Sequence, residues 1–331
     1  DWNYLSGNPN ITIDFIENNL KTNDPFPWSL EGMSQNPNLN MNFIINHTFE
    51  DQEWNWRFIS SNPGITMTDI NNSIETKDEF STKWVWSEVS RNPNLTIGFL
   101  KDHFDNIGWD WSSISHNPSI TIKDIKQSLQ NNDELANSWD FEWLSLHPQL
   151  TMDFIKEYPH QAWSWDFISS NPGITMEDID NSLKTRDAYS KKWDWSEIST
   201  NPNVTPEFLN KYKNKPLDWY TLSSHPMITL DIIREYKNKS WDWHALSRNS
   251  SIDIMKDVNP TLLNDNKLKW NYKGLSGNPT ITLDFINQYD DFKWNWDLLS
   301  SNPSITKEII EKYKNNINFA YLSFNKFEYE K

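Results

Sequence analysis

The chain has 331 residues, 36% of them hydrophobic, with a formal net charge of −16 and a calculated pI of about 4.8. It is long enough to bury a large core, but it lacks the basic footprint that a nucleic-acid backbone or an anionic membrane selects. The absence of cysteine excludes disulfides, a thiolate nucleophile and Cys-ligated zinc, and fits a reducing compartment.

Neither a signal-peptide pattern nor a run of about 18 apolar residues is visible in these 331 residues. The chain begins at Asp1, inside a repeat and without an initiator Met, so we expect the natural N-terminus to lie further upstream. Aromatic residues are abundant, with 20 Trp, 17 Phe and 11 Tyr, whereas 8 Gly are too few for a flexible linker.

Taken in order, the chain is one text repeated. Residues 54–74 read WNWRFISSNPGITMTDINNSI, 163–183 read WSWDFISSNPGITMEDIDNSL, and 294–314 read WNWDLLSSNPSITKEIIEKYK. The marker proline falls at Pro9, Pro37, Pro63, Pro93, Pro118, Pro148, Pro172, Pro202, Pro226, Pro279 and Pro303. Ser250 takes its place in SRNSSID and Lys326 in the closing NFAYLSFNK, giving twelve repeats and a terminal stub at 317–331. Spacings alternate between 24–26 and 29–30 residues through the middle, and 57–100 matches 166–209 almost line for line. A fixed period of this length predicts a repeat array, in which length counts units rather than domains.

The first half of each repeat is W-x-W-x-x-L-S-x-N-P. Its apolar positions lie nine, seven and four before the proline, as in Trp193, Trp195 and Ile198, which predicts a short helix with an aromatic anchor at its start. Asn-Pro ends that helix, because the residue before a proline is pushed out of the α region. The second half is I-T-x-D-F-I. Its polar column holds Thr12, Asn40, Thr66, Thr96, Thr121, Thr151, Thr175, Thr205, Thr229, Asp253, Thr282 and Thr306. Thr, Asn and Asp share the ability to accept a backbone N–H, so the column predicts a helix N-cap in every repeat. Acids in the first turn, such as Asp69 and Glu207, and Pro206 at the first helical position agree.

Each repeat is thus a helix–turn–helix of 24–30 residues, and the expected fold is all-α: an α-solenoid of about twelve stacked repeats. We read residues 1–331 as a single continuous array. Longer polar connections follow Ile74, Leu129 and Leu183, such as KTRDAYSKK at 184–192, and read as loops or helix extensions at every second repeat. Residues 243–260 form the weakest repeat and the place for a bend.

The recurring WDWxxLSxNPxIT text resembles the tandem-repeat proteins of giant DNA viruses of amoebae and related protists, over nearly the whole chain. The resemblance implies a repeat fold and a viral origin. It implies no active site.

Several columns carry chemistry-bearing residues. The Trp columns suit either a stacking platform for sugars or bases or wedges between repeats; recurrence in every repeat favours wedges, each needing a partner for its N–H. The Ser three before the proline recurs from Ser6 to Ser323. So many equivalent copies favour a hydroxyl bonded to backbone at the helix end over a nucleophile. The Asn before the proline becomes His147 and His225 in two repeats, and both types suit bonds to turn backbone. The other histidines show no metal-ligand spacing, and no glycine-rich phosphate loop is present. Paired carboxylates such as Asp290 and Asp291 read as solvated surface.

Variation marks the remaining candidate. Two before the proline the chain changes freely, and we take Arg91, His116, Leu146, Thr200 and Arg248 as candidate partner-binding residues. The expected function is a non-enzymatic scaffold that binds a host or viral protein, with a structural component of a virus particle as the alternative. A carbohydrate-active enzyme would need an exposed Trp beside two carboxylates at a defined separation. We expect no catalytic residue, metal, cofactor, nucleic acid, membrane or small-molecule substrate, and a location in the host cytoplasm or the virion.

Overall fold

The computed structural model describes residues 2–47, 52–106, 108–262, 265, 267–322 and 325. Among the described residues there are 25 short α-helices, one π-helical turn and no strand. By its internal contacts the chain forms two compact bodies, Asp1–Gly173 and Ile174–Lys331. Each is an all-α array of helix–turn–helix repeats, stacked as in an α-solenoid. Lys326 and Ser323 of the terminal stub lie outside the described residues.

The first helices are four to six residues long, for example Trp56–Ser61 and Trp195–Ile198. They are short because both ends are fixed by the sequence. The residue between the two aromatics is an N-cap: Asn55, Asp110, Asp140 and Asp242 each accept a helical N–H. The first aromatic therefore lies ahead of the helix rather than within it. At the other end the Asn before the proline leaves the helix, as Asn62 does at φ −70° and ψ 131°. Pro63 then sets the turn, closed by Ile65 N–H donating to Asn62 O at 3.0 Å.

The second helices start where the polar column stands. Thr12, Asn40, Thr96, Thr151, Thr205, Thr229, Thr282 and Thr306 accept the N–H three residues on, and Asp253 accepts that of Lys256. Thr66, Thr121 and Thr175 add the reciprocal bond, forming capping boxes with Asp69, Asp124 and Asp178. Those three helices run to ten residues and end in left-handed caps at Lys77, Asn132 and Arg186. They are the repeats with long connections. The connection folds back: Phe80 stacks on Trp56 at 5.2 Å, where Phe99 of the following repeat stacks on Trp86 from within its helix. A helix extension and a packed loop together replace one phenylalanine.

In the tenth repeat the second helix opens as a π-turn, Ile254–Val258, and continues as Asn259–Leu262. Val258 N–H reaches back to Asp253 O at 3.3 Å, and Pro260 has no N–H to give to the turn before it.

Three aliphatic columns make the core of each body. In the eighth repeat they are Ile198, Val204 and Leu209, all buried, and the same places hold Ile59, Ile65 and Ile70 in the third. First helices pack on first helices of the next repeat, as Trp56–Ser61 does on Trp86–Val89 and Trp243–Arg248 on Tyr272–Ser276. Their aromatics interlock: the second Trp of one repeat meets the first Trp of the next edge-on, in Trp56–Trp84 at 5.1 Å, Trp111–Trp139 at 5.7 Å and Trp243–Trp270 at 5.6 Å.

Candidate partner-binding surface

Before a surface can be assigned, the invariant polar residues must be accounted for, and they are used between repeats. Ser60 Oγ donates to Trp56 O at 2.7 Å and accepts Val85 N–H of the next repeat at 3.0 Å. The same pair of bonds recurs at Ser247, to Trp243 O at 2.6 Å and from Asn271 N–H at 2.8 Å. Asn62 Nδ2 donates to Ser34 O at 2.9 Å and Asn36 O at 3.0 Å, one repeat back. The Ser34 carbonyl is left unpaired by the end of the preceding first helix, so the Asn satisfies its neighbour's orphan, while Asn36 O also accepts Leu39 N–H of its own turn at 3.0 Å. Its Oδ1 meanwhile accepts Gly64 N–H at 2.8 Å.

His147 and His225 do the same work with a ring. His147 Nε2 donates to Ile120 O at 2.8 Å, and Nδ1 accepts Gln149 N–H at 3.1 Å. His225 bonds Asn201 O and Met227 N–H at 3.1 and 3.2 Å. A backbone N–H can only donate, so each ring is neutral and protonated at Nε2. Burial pushes both imidazoles below their ordinary range. These bonds occupy both ring nitrogens.

Most buried indoles are also satisfied, chiefly by two devices, while Trp28 donates to Asn19 Oδ1 at 2.8 Å. After a short second helix the N–H goes to a backbone carbonyl, as in Trp109 to His103 O and Trp294 to Tyr289 O, both at 2.9 Å. After a long one it goes to a helix hydroxyl: Trp84 to Ser73, Trp139 to Ser128 and Trp193 to Ser182, at 3.1–3.2 Å. Each of those serines donates in turn to an Asp five residues on.

The column two before the proline is what stays outside this network, exposed or half-buried in every described repeat. Each of the five candidates sits in its own repeat. Arg91 is exposed but engaged, meeting Glu88 Oε2 at 3.1 Å, Asp110 Oδ2 at 3.2 Å and Ser113 Oγ at 3.1 Å. His116 bonds Ser112 O at 2.7 Å and lies 5.4 Å from the Trp143 ring. Leu146 is half-buried, and Thr200 Oγ1 donates to Glu197 O at 2.8 Å. Arg248 lies across Gly277 and lines an open cavity of about 580 Å³ in the second body. His244, Ser224 and Ser250 share that cavity although they are not among the five candidates; the signal for it was the missing proline at 250.

Other charges pair among themselves. Asp180 accepts from Lys184, Lys211 and Tyr212, which hold its carboxyl well below the usual carboxylate range. Burial, then the Asp180 bond, pushes the Tyr212 hydroxyl up to about 12. Among the described residues no group of three or more His, Asp or Glu is placed to hold a metal. No helix among them is long and apolar enough to cross a membrane. No protein-family model, curated protein or solved structure matches the chain.

Proposed function

We propose that this protein is a non-enzymatic repeat scaffold that binds another protein through the face carrying the column two before each proline. The supporting observation is a division of labour: the recurring Ser, Asn and Trp side chains are consumed between repeats, while this column is variable and solvent-accessible. Repeat arrays present wide surfaces of this kind, and a variable column on a constant frame is how such a surface distinguishes partners. A viral origin is part of the proposal and rests on the WDWxxLSxNPxIT resemblance alone.

The test uses the full chain as bait in extract from infected cells, with chemical cross-links mapped by mass spectrometry. It is run beside a variant in which Arg91, His116, Leu146, Thr200 and Arg248 are serine, the residue that Ser61, Ser170 and Ser301 place in this column. A partner cross-linked near the column and lost in the variant supports the reading. Equal recovery by both baits, or no partner for either, removes it.

A further inference from the structure

Arg91 and Arg248 occupy the same place in the repeat, and only one of them is paired. The three partners of Arg91 are Glu88, Asp110 and Ser113; their counterparts around Arg248 are Ala245, Asn271 and Gly274. Neither carboxylate is kept, and the hydroxyl is lost to glycine. Among the described residues Arg248 makes no hydrogen bond or ion pair. The side chains of His244, Ser224 and Ser250 are likewise without partners among them.

The pocket opens where one proline ring is missing. Ser250 stands where the other repeats have proline, and the cavity of about 580 Å³ opens between Pro226 and Pro279. No carboxylate lines it. We propose that this pocket docks an extended acidic segment of a partner protein. Arg248 takes an Asp or Glu carboxylate in a bidentate bond, for which the guanidinium fork is shaped. His244 and the two hydroxyls bond the segment's backbone, and the flanking proline rings pack on its side chains. The cavity is open and is lined from repeats nine to twelve, which suits a chain laid across the repeats rather than an enclosed small molecule. This inference rests on the protein-binding reading above and gives it a site and a partner chemistry.

The experiment measures binding of two fluorescein-labelled peptide pools to the full chain by anisotropy. One pool is rich in Asp and Glu, and the other carries Asn and Gln at the same positions. The acidic pool should bind, and Arg248→Gln should weaken it by at least about tenfold. Ala245→Glu with Asn271→Asp should do the same by giving Arg248 the carboxylates that Arg91 has. Ser250→Pro should also abolish binding with unchanged thermal unfolding, because Ser250 N–H makes no backbone bond and Asn249, at φ −64° and ψ 126°, already suits a following proline. Binding of the acidic pool that is indifferent to all three variants overturns the pocket and leaves the protein-binding reading standing. Binding of neither pool overturns the docking proposal, and the bait experiment above decides the protein-binding reading by itself. Free glutarate binding as tightly as the acidic pool would put a small dicarboxylate in the pocket and overturn the docking proposal.

Discussion

Asn62 Nδ2 lies 2.9 Å from the carbonyl oxygen of Ser34, a residue 28 positions earlier in the chain. That bond joins one repeat's turn to the end of its neighbour's first helix. Its counterparts recur along each body, for example from Asn92 to Ser60 O and from Asn278 to Ser247 O, both at 3.0 Å. Repeats without disulfides are held together here by aliphatic packing, edge-on indoles and this amide ladder.

Asn62→Ala should cost about 2–4 kcal/mol, because it leaves the buried Ser34 carbonyl and the Gly64 N–H unpaired. Amide hydrogen exchange should quicken over residues 54–76 first. Unchanged protection there sinks the ladder as a stabilising element.

Ile198→Ala tests the core. Ile198 is 0% exposed in the middle of the eighth repeat, and truncation should cost about 2–5 kcal/mol by urea unfolding. A loss under about 0.5 kcal/mol, the size of an ordinary surface change, is the result that contradicts a stacked core.

Two glycines should respond with opposite signs. A Cβ at Gly64 would lie 1.8 Å from Leu39 O, a backbone atom one repeat back, so Gly64→Ala should cost about 1–3 kcal/mol or more. Gly98 lies inside the helix Ile97–Asp102 with nothing within 4 Å of an added Cβ. Gly98→Ala should therefore stabilise by about 0.5–1 kcal/mol. Thermal unfolding of the two variants side by side decides it.

His147 and His225 should make stability depend on pH. Burial lowers both below the ordinary 6.5, so as pH falls the unfolded chain takes up these protons first. Their contribution is fully present above 6.5 and is lost as pH falls through the folded pKa. Asp180, held low by Lys184, Lys211 and Tyr212, titrates in a more acid range. The urea midpoint should fall between about pH 7 and pH 5, and His147→Asn with His225→Asn, the residue of the other repeats, should flatten that fall. An identical slope in the double variant would falsify the neutral-ring assignment.

Much of this was legible one repeat at a time. The Thr, Asn and Asp column reads as N-caps because a cap bond spans three residues and depends only on side-chain type. Asn-Pro reads as a helix end for the same reason: the clash is between adjacent residues. The cap between the two aromatics was equally local, yet it was hidden by the reading of Trp-x-Trp as one helix face.

The sequence by itself determined the period, the two helices of each repeat, their boundaries and the aliphatic columns, because each follows from bonds and clashes within a few residues. Only the tertiary structure decided where the Ser and Asn side chains go, since their partners lie 18–32 residues away and are chosen by how neighbouring repeats stack. It also decided that Arg91 is tied down and that Arg248 has no partner among the described residues. Both are an arginine two places before the turn; stacking brings the same three positions to each, and those positions hold Glu88, Asp110 and Ser113 around the first but Ala245, Asn271 and Gly274 around the second.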